Sequence, residues 1–334
     1  MKKALILLLS VILVFTGCSK QDAKEDTGKV SYKIGISKML AHPALDQVEK
    51  GMKDHLDKTG LRLTYDFQNA QGEISSCASI AQKFKDDGCD IVLGIATPTA
   101  QSLVNIFYDT PVVFSAVTDP VDAGLVESYD PVPGSNVCGV SDMNPVEEQI
   151  KMLMEITGAK TIGNIYASGE ANGVILMQQA KEAVEKLGGT FVEVSVANSA
   201  EVKMAAQSII DRVDAIYVAT DNTVISALSA VDDVCNKAQK PLFSADPTAT
   251  KGLECFLAWG FDYYSLGLKT GEAIERIIKG ESAGSIGTIF LTDAKDFDLR
   301  INLDTAKKLG ITVSDDVLSK AAIVIENGET KSNK

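Results

Sequence analysis

The chain has 334 residues, 45% hydrophobic and 23% charged, an ordinary globular composition with length enough for two domains of roughly 100–200 residues each. Its 45 acidic side chains outnumber 32 basic ones, and the resulting net charge of −13 repels phosphate backbones and argues against nucleic acid as a partner.

The first residues read differently from the rest. Lys2 and Lys3 precede an apolar run from Ala4 to Phe15 and then the small residues of "TGCSK". This is the pattern of a secretory signal, and the run is shorter than the roughly 20 residues of a spanning helix. Phe15-Thr16-Gly17-Cys18 resembles the bacterial lipobox, with Phe15 where that pattern prefers Leu. The resemblance implies cleavage after residue 17 and a lipid on Cys18, and the alternative is a plain signal peptide that contains a cysteine. Cleavage would remove two lysines and take the net charge from −13 to −15. Residues 18–30 are too polar to pack and read as a tether. No later apolar run is long enough to span a bilayer, so the expected location is extracytoplasmic, with lipid the only anchor.

From Tyr32 onward strand-like and helix-like segments alternate. "YKIGIS" is followed by a helical pattern over Pro43–Thr59, "LRLTYDF" by one over Ile74–Asp87, and "DIVLGIA" by a third. "PVVFSAV" and "VCGVSD" complete this series. After a helical stretch from Pro145 to Gly158 the rhythm repeats. Strands are expected at "TIGNIYA", "TFVEVSV", "AIYVAT" and "PLFSA", and helices over 171–187, 200–212 and 223–238. Short continuous apolar strands separated by helices predict parallel sheets buried on both faces, so the fold class is α/β with two doubly wound lobes. Residues 254–311 hold too few elements for a third domain and are expected to return to both lobes, making a multi-crossing hinge. The expected division gives lobe one residues 31–143 and about 262–285, and lobe two residues 144–261 and about 286–330.

Ligands of open parallel sheets gather at the carboxyl ends of strands. "IVLGIATPTAQSLV" runs from a strand into a helix with Thr97 fitting the N-cap and Pro98 the first helical position, a start whose free N–H groups suit an anion. Taken alone, that stretch is better explained by plain capping, which every helix needs. Other strand ends supply Ser37, His42, Ser115, Thr118 and Asp119 in lobe one, and Ser168, Glu170, Asn172, Asp221, Asn222 and Asp246 in lobe two. Six such polar ends on two facing lobes point to a ligand cleft. Hydroxyls and helix starts suit a carboxylate and the aspartates an ammonium, the pairing of a free amino acid, although each aspartate is equally readable as an N-cap. Trp259, with Phe261, Tyr263 and Tyr264 behind it, reads either as a platform for an apolar side chain or as a hinge cluster.

Catalysis is poorly supplied: there are two histidines, His42 and His55, and no nucleophile elbow, HExxH or P-loop. No enzyme activity, cofactor or metal is expected. The five cysteines after Cys18 are odd in number and without CxxC spacing, which suits buried thiols, with room for one disulfide.

"HPALDQVEKGMKDHL", "ATPTAQSL", "TDPVDAGLV", "GVSDMNPVEEQI", "YASGEAN", "TDNTVISAL" and "GFDYYSLGLKTG" together resemble the substrate-binding lipoproteins of ABC transporters, in the group assigned to tryptophan and tyrosine uptake. The resemblance implies a type I periplasmic-binding-protein fold with three crossings, a monomer, and delivery of an aromatic amino acid to permease subunits. Residue by residue it marks Ala96, Thr97, Pro98 and Thr99, then Ser115, Val117, Thr118 and Asp119. In lobe two it marks Ser168, Glu170, Asn172, Asp221, Asn222 and Asp246. We assign the ligand carboxylate to Thr97, Thr99 and Ser115, and its ammonium to Asp246 with Asp221. A ligand-binding ectodomain for a signalling protein, or binding of a nucleoside or short peptide, stays open at this stage.

Overall fold

The structure is a computed structural model that describes residues 31–333; the leader, lipobox and tether expected over 1–30 lie outside the described residues. In chain order the first series is β1 (Ser31–Lys38), α1 (Pro43–Leu56), β2 (Arg62–Asn69), α2 (Ile74–Asp86), β3 (Ile91–Ile95), α3 (Thr97–Val104), β4 (Val112–Val117) and β5 (Val137–Ser141). The second is α4 (Val146–Thr157), β6 (Thr161–Ala167), α5 (Ala171–Lys186), β7 (Thr190–Val196), α6 (Val202–Ile209), β8 (Ala215–Val218), α7 (Asn222–Ser226), α8 (Leu228–Ala238), β9 (Leu242–Ser244) and β10 (Leu257–Phe261). The tail supplies α9 (Tyr263–Ile278), α10 (Ala283–Ile286), β11 (Thr288–Phe290), β12 (Phe297–Asn302), α11 (Leu303–Leu309), α12 (Asp315–Lys320), β13 (Ile323–Glu326) and β14 (Glu329–Ser332).

Two sheets result. The first runs β11-β5-β4-β3-β1-β2, all parallel. Helices cover both faces, and the inner strands β3 and β4 are buried along their whole length. The second runs β14-β13-β12-β10-β9-β8-β6-β7, with antiparallel pairs only at β10/β12 and β13/β14. Each sheet carries one apolar cluster per face, such as Ile36, Leu93 and Val113 on one side of the first and Val92, Phe114 and Phe84 on the other.

The expected helix over 223–238 is two helices, turning at Ala227, whose N–H bonds back to Val224. The helix expected over 200–212 is α-helical only at its centre, with a single tight turn at each end. The boundary near residue 285 also moves. Thr288–Phe290 still belongs to the first sheet as β11, held by β5, by the Thr288 N–H on the Tyr129 carbonyl and by an edge-on contact of Phe290 with Tyr129.

The chain therefore passes between lobes at residues 142–145, at residue 262 and at residues 291–296. The passages are tied together. The Asp262 N–H donates to the Asp296 carbonyl at 2.8 Å, Phe261 stacks on Phe297 at 4.4 Å between centroids, and Gln149 Nε2 donates to the Trp259 carbonyl at 2.6 Å. After the second passage α9 lies on α1 with backbones nearly touching. A Cβ on Gly51 would stand 2.3 Å from the Tyr264 carbonyl oxygen, and one on Gly267 2.3 Å from that of Val48. Only glycine permits this approach.

Candidate functional site

Strand order reverses beside β1 in the first sheet and beside β6 in the second, and these reversals open a crevice at the carboxyl ends of β1/β3 and β6/β8. The two crevices face each other across the passages. Together they leave a cavity of only about 10 Å³, room for little more than one water. Lobe one contributes His42, Leu45, Ala116 and, from the passages, Asp142 and Tyr263; lobe two contributes Asn172, Thr220, Asp221, Asn222, Ile225 and Asp246.

The cavity is acidic: three aspartates line it, and no lysine or arginine does. Their oxygens differ in what they already hold. Asp221 is the N-cap of α7 and spends Oδ1 on the Val224 N–H at 2.9 Å and Oδ2 on the Ala167 N–H at 2.6 Å. Asp142 accepts from the Tyr263 hydroxyl at 2.9 Å and from Thr118 Oγ1 at 3.3 Å. Asp246 accepts the Thr248 and Ala249 N–H groups on Oδ1 alone, which leaves Oδ2 as the oxygen it offers to the cavity.

Burial disfavours the charged form of each. It pushes Asp142 up to about 6 against the hydrogen bonds of Tyr263 and Thr118. It pushes Asp246 up to about 7 against its two N–H donors, with Asp142 adding repulsion. Asp221 is raised as well, by burial and by the neighbouring Glu170. His42 is only 8% exposed, and burial pushes it down to about 4, so its imidazole is neutral at physiological pH.

Several residues marked from sequence turn elsewhere. The cap of α3 is Ala96, at φ +82°, not Thr97, so the helix starts one residue early and Thr97 and Pro98 are its first two residues. Thr99 spends its hydroxyl on the Ile95 and Ala96 carbonyls, and Ser115 hydrogen-bonds Thr270 at 2.6 Å inside lobe one. That removes both as carboxylate donors. A bulge between Ser115 and Val117, with Ala116 at φ +53°, presents Ala116 to the cavity and sends Val117 into the core.

Thr118 lies one layer below the cavity, on Asp142. Asp119 closes a turn with the Val121 and Asp122 N–H groups and accepts from Tyr129, in a separate groove. Ser168 is exposed, whereas Glu170 is buried and fully used by Asn222 and Thr223. Trp259 sits with Met152, Phe297 and Leu299 on the far side of the second sheet, because β10 alternation puts it on the face of Leu257. Ser37 and Thr97 stay at the lobe-one edge, buried, with hydroxyls that have no partner.

Asp142, Thr220, Leu45, Ala116 and Ile225 line the cavity beyond the residues marked from sequence, and of the aromatic group named there it is Tyr263, not Trp259, that reaches it. Asp142 had a signal: a carboxylate directly after a buried strand. Its bond to Tyr263 staples the first passage to the second. Tyr263→Phe leaves that buried oxygen bare at a cost of about 1–3 kcal/mol. A melting temperature lower by a few degrees is expected, and an unchanged melting curve would remove the staple.

All five cysteines among the described residues are buried and free, and burial pushes their thiols up, away from reactivity. Among the described residues no helix is long and apolar enough to cross a membrane.

The family model described as ABC transporter substrate binding protein matches residues 33–325. The chain belongs to that family. A protein of Clostridioides difficile (strain R20291) named tyrosine-binding protein is 35% identical over 325 residues, 92% of each chain. The solved ABC domain in complex with L-Trp from Streptococcus pneumoniae is 33% identical, covers 89% of this chain and 100% of its own, and superposes with a TM-score of 0.83. A ligand-free, open substrate-binding protein with adhesive properties from Clostridium difficile is 34% identical over 85% of this chain and 97% of its own, with a TM-score of 0.64. The chain thus superposes better on the L-Trp complex than on the ligand-free, open structure. The architecture is the type I periplasmic-binding-protein fold.

Proposed function

We propose that this family member is a lipoprotein, anchored outside the cell by Cys18, that captures an aromatic amino acid and delivers it to an ABC permease. The observation that carries the ligand reading is the acidic cavity, in which Asp246 Oδ2 is open and no lysine or arginine competes for it. A buried carboxylate of this kind calls for a cation, and an α-ammonium is one that an amino acid brings. The tyrosine-binding relative and the L-Trp complex support an aromatic side chain.

The ammonium falls to Asp246, with Asp142 behind it. Asp221 keeps its structural place at the start of α7. The carboxylate falls to the partnerless hydroxyls of Thr97 and Thr220, with the free N–H groups of α3 beside the former. The role is binding and release; its polar groups are arranged to hold charge, with no nucleophile and base in mutual reach. The cavity of about 10 Å³ falls far below the roughly 300–1,000 Å³ of small-molecule sites, so entry of an aromatic ligand requires the lobes to part.

A thermal-shift screen of the purified protein against the twenty amino acids, nucleosides and sugars tests this. A ligand at a hundred times its dissociation constant adds about 2.7 kcal/mol to the folded state, and a selective rise is expected with tyrosine, tryptophan or phenylalanine. A rise only with a nucleoside or sugar would keep the fold and overturn the ligand.

A further inference from the structure

The cavity has two chemically different ends. Asp142, Asp246 and Tyr263 bear on one another, through the Tyr263–Asp142 hydrogen bond and the mutual repulsion of the two carboxylates. His42 belongs elsewhere: the charges that bear on it are those of Lys38 and Asp46, and the side chain beside it is Asn222. Leu45 follows His42 on the first turn of α1, and Ile225 follows Asn222 on α7, so these two side chains supply the apolar surface of the cavity near the imidazole.

His42 itself is anomalous. It caps α1 by position but makes no side-chain capping bond, and neither ring nitrogen has a hydrogen-bond partner although both atoms are buried. Asn222 favours the protonated ring, as an acceptor does, so its carbonyl oxygen is the atom that faces a ring N–H, while one hydrogen of its NH₂ goes to Glu170 Oε2 at 2.6 Å. One imidazole nitrogen of this lining residue therefore carries a bare lone pair. A buried polar atom left bare carries a cost that folding alone does not recover.

We propose that His42 is the specificity-determining residue of the cleft: its imidazole accepts a hydrogen bond from the phenol O–H or indole N–H of an aromatic amino acid and so selects tyrosine and tryptophan over phenylalanine. This rests on the aromatic amino-acid reading above. The ligand's ammonium at Asp246 then directs its ring toward Leu45 and Ile225, with the polar atom of the ring reaching His42. Phenylalanine fills the same space and leaves the lone pair bare, which is the arrangement by which a site rejects an analogue lacking a donor. Burial holds the ring in its neutral form, so the lone pair is available throughout the physiological range.

Calorimetric titration of the purified protein with tyrosine, tryptophan and phenylalanine, repeated on His42→Leu and His42→Gln, tests the assignment. In the unaltered protein tyrosine, tryptophan or both are expected to bind at least about tenfold more tightly than phenylalanine. His42→Leu is expected to erase that ratio by weakening the donors' binding while leaving phenylalanine as tight or tighter. His42→Gln, which keeps an acceptor at the wall, is expected to retain part of it. Equal binding of all three by the unaltered protein, or a ratio that survives in His42→Leu, overturns the role of His42 and leaves the aromatic reading standing. Binding of none of the three overturns the aromatic reading and this inference with it.

Discussion

Asp246→Asn is expected to weaken binding of an aromatic amino acid roughly thirtyfold or more, while raising the melting temperature of the free protein at neutral pH. Both signs follow from one carboxylate. Asp246 is 1% exposed, caps its own turn through Oδ1, and offers Oδ2 to the cavity with no protein cation near it. Asparagine keeps the Oδ1 acceptor for the Thr248 and Ala249 N–H groups and so preserves the turn. What it removes is the charge that an ammonium requires, a loss of about 2–5 kcal/mol for a buried charged pair. The same change relieves the free protein of an unpaired buried charge. Calorimetry for affinity and differential scanning for stability read the two effects separately. Weaker binding with a falling melting temperature would mean that Asp246 acts through the fold, and unchanged affinity would remove it from the site.

The affinity of the same ligand is expected to climb by up to about tenfold per pH unit between pH 5 and 7 and to level off above. The ligand's ammonium stays charged over that range, so the titrating partner is the protein. Asp246 sits at about 7 and Asp142 at about 6, both raised by burial, with the Tyr263 hydroxyl on Asp142 and the Asp142 charge bearing on Asp246. A carboxyl raised in the folded state stabilises that state fully below its unfolded value near 3.8, and that contribution is lost as pH rises through 6 and 7. The free protein should therefore melt progressively lower from pH 4 to pH 8. Ligand binding near pH 6.5 should release protons, seen as a binding enthalpy that changes with the ionisation enthalpy of the buffer. In Asp246→Asn most of the pH slope should vanish; a slope that persists would place the titrating group elsewhere.

The βα rhythm was readable because it depends on averaged properties: apolar runs bounded by helical periodicity survive any error in individual contacts. The wall of the cavity depends on single torsions, which composition does not report. One residue separates Thr97 as a cap from Ala96 as a cap, and that step leaves the Thr97 hydroxyl without a capping bond. "FSAVTD" shows no sign that Ala116 adopts a left-handed backbone, yet that bulge exchanges Ser115 for Ala116 at the cavity. Trp259 drew notice as the single tryptophan, but strand alternation fixed its face, and the pairing that sets this comes from β12, forty residues later in sequence. Asp142 and Tyr263 meet only because two passages separated by a whole lobe run side by side. The last hairpin, by contrast, is written in the sequence. Asn327-Gly328 between "IVIE" and "ETKS" is a two-residue turn signal, and both residues take the positive φ that such a turn needs.

The glycine contact between α1 and α9 has a mechanical meaning. α1 begins beside His42 and α9 begins at Tyr263, so two parts of the ligand wall that are distant in sequence are mounted on one helical pair with no slack between its backbones. That pair is the anvil of the molecule. When the lobes part, His42 and Tyr263 keep their spacing, and the moving jaw is the sheet that carries Asn222 and Asp246. His42 and Tyr263, which set shape, thus stand across the cleft from Asp246, which carries charge.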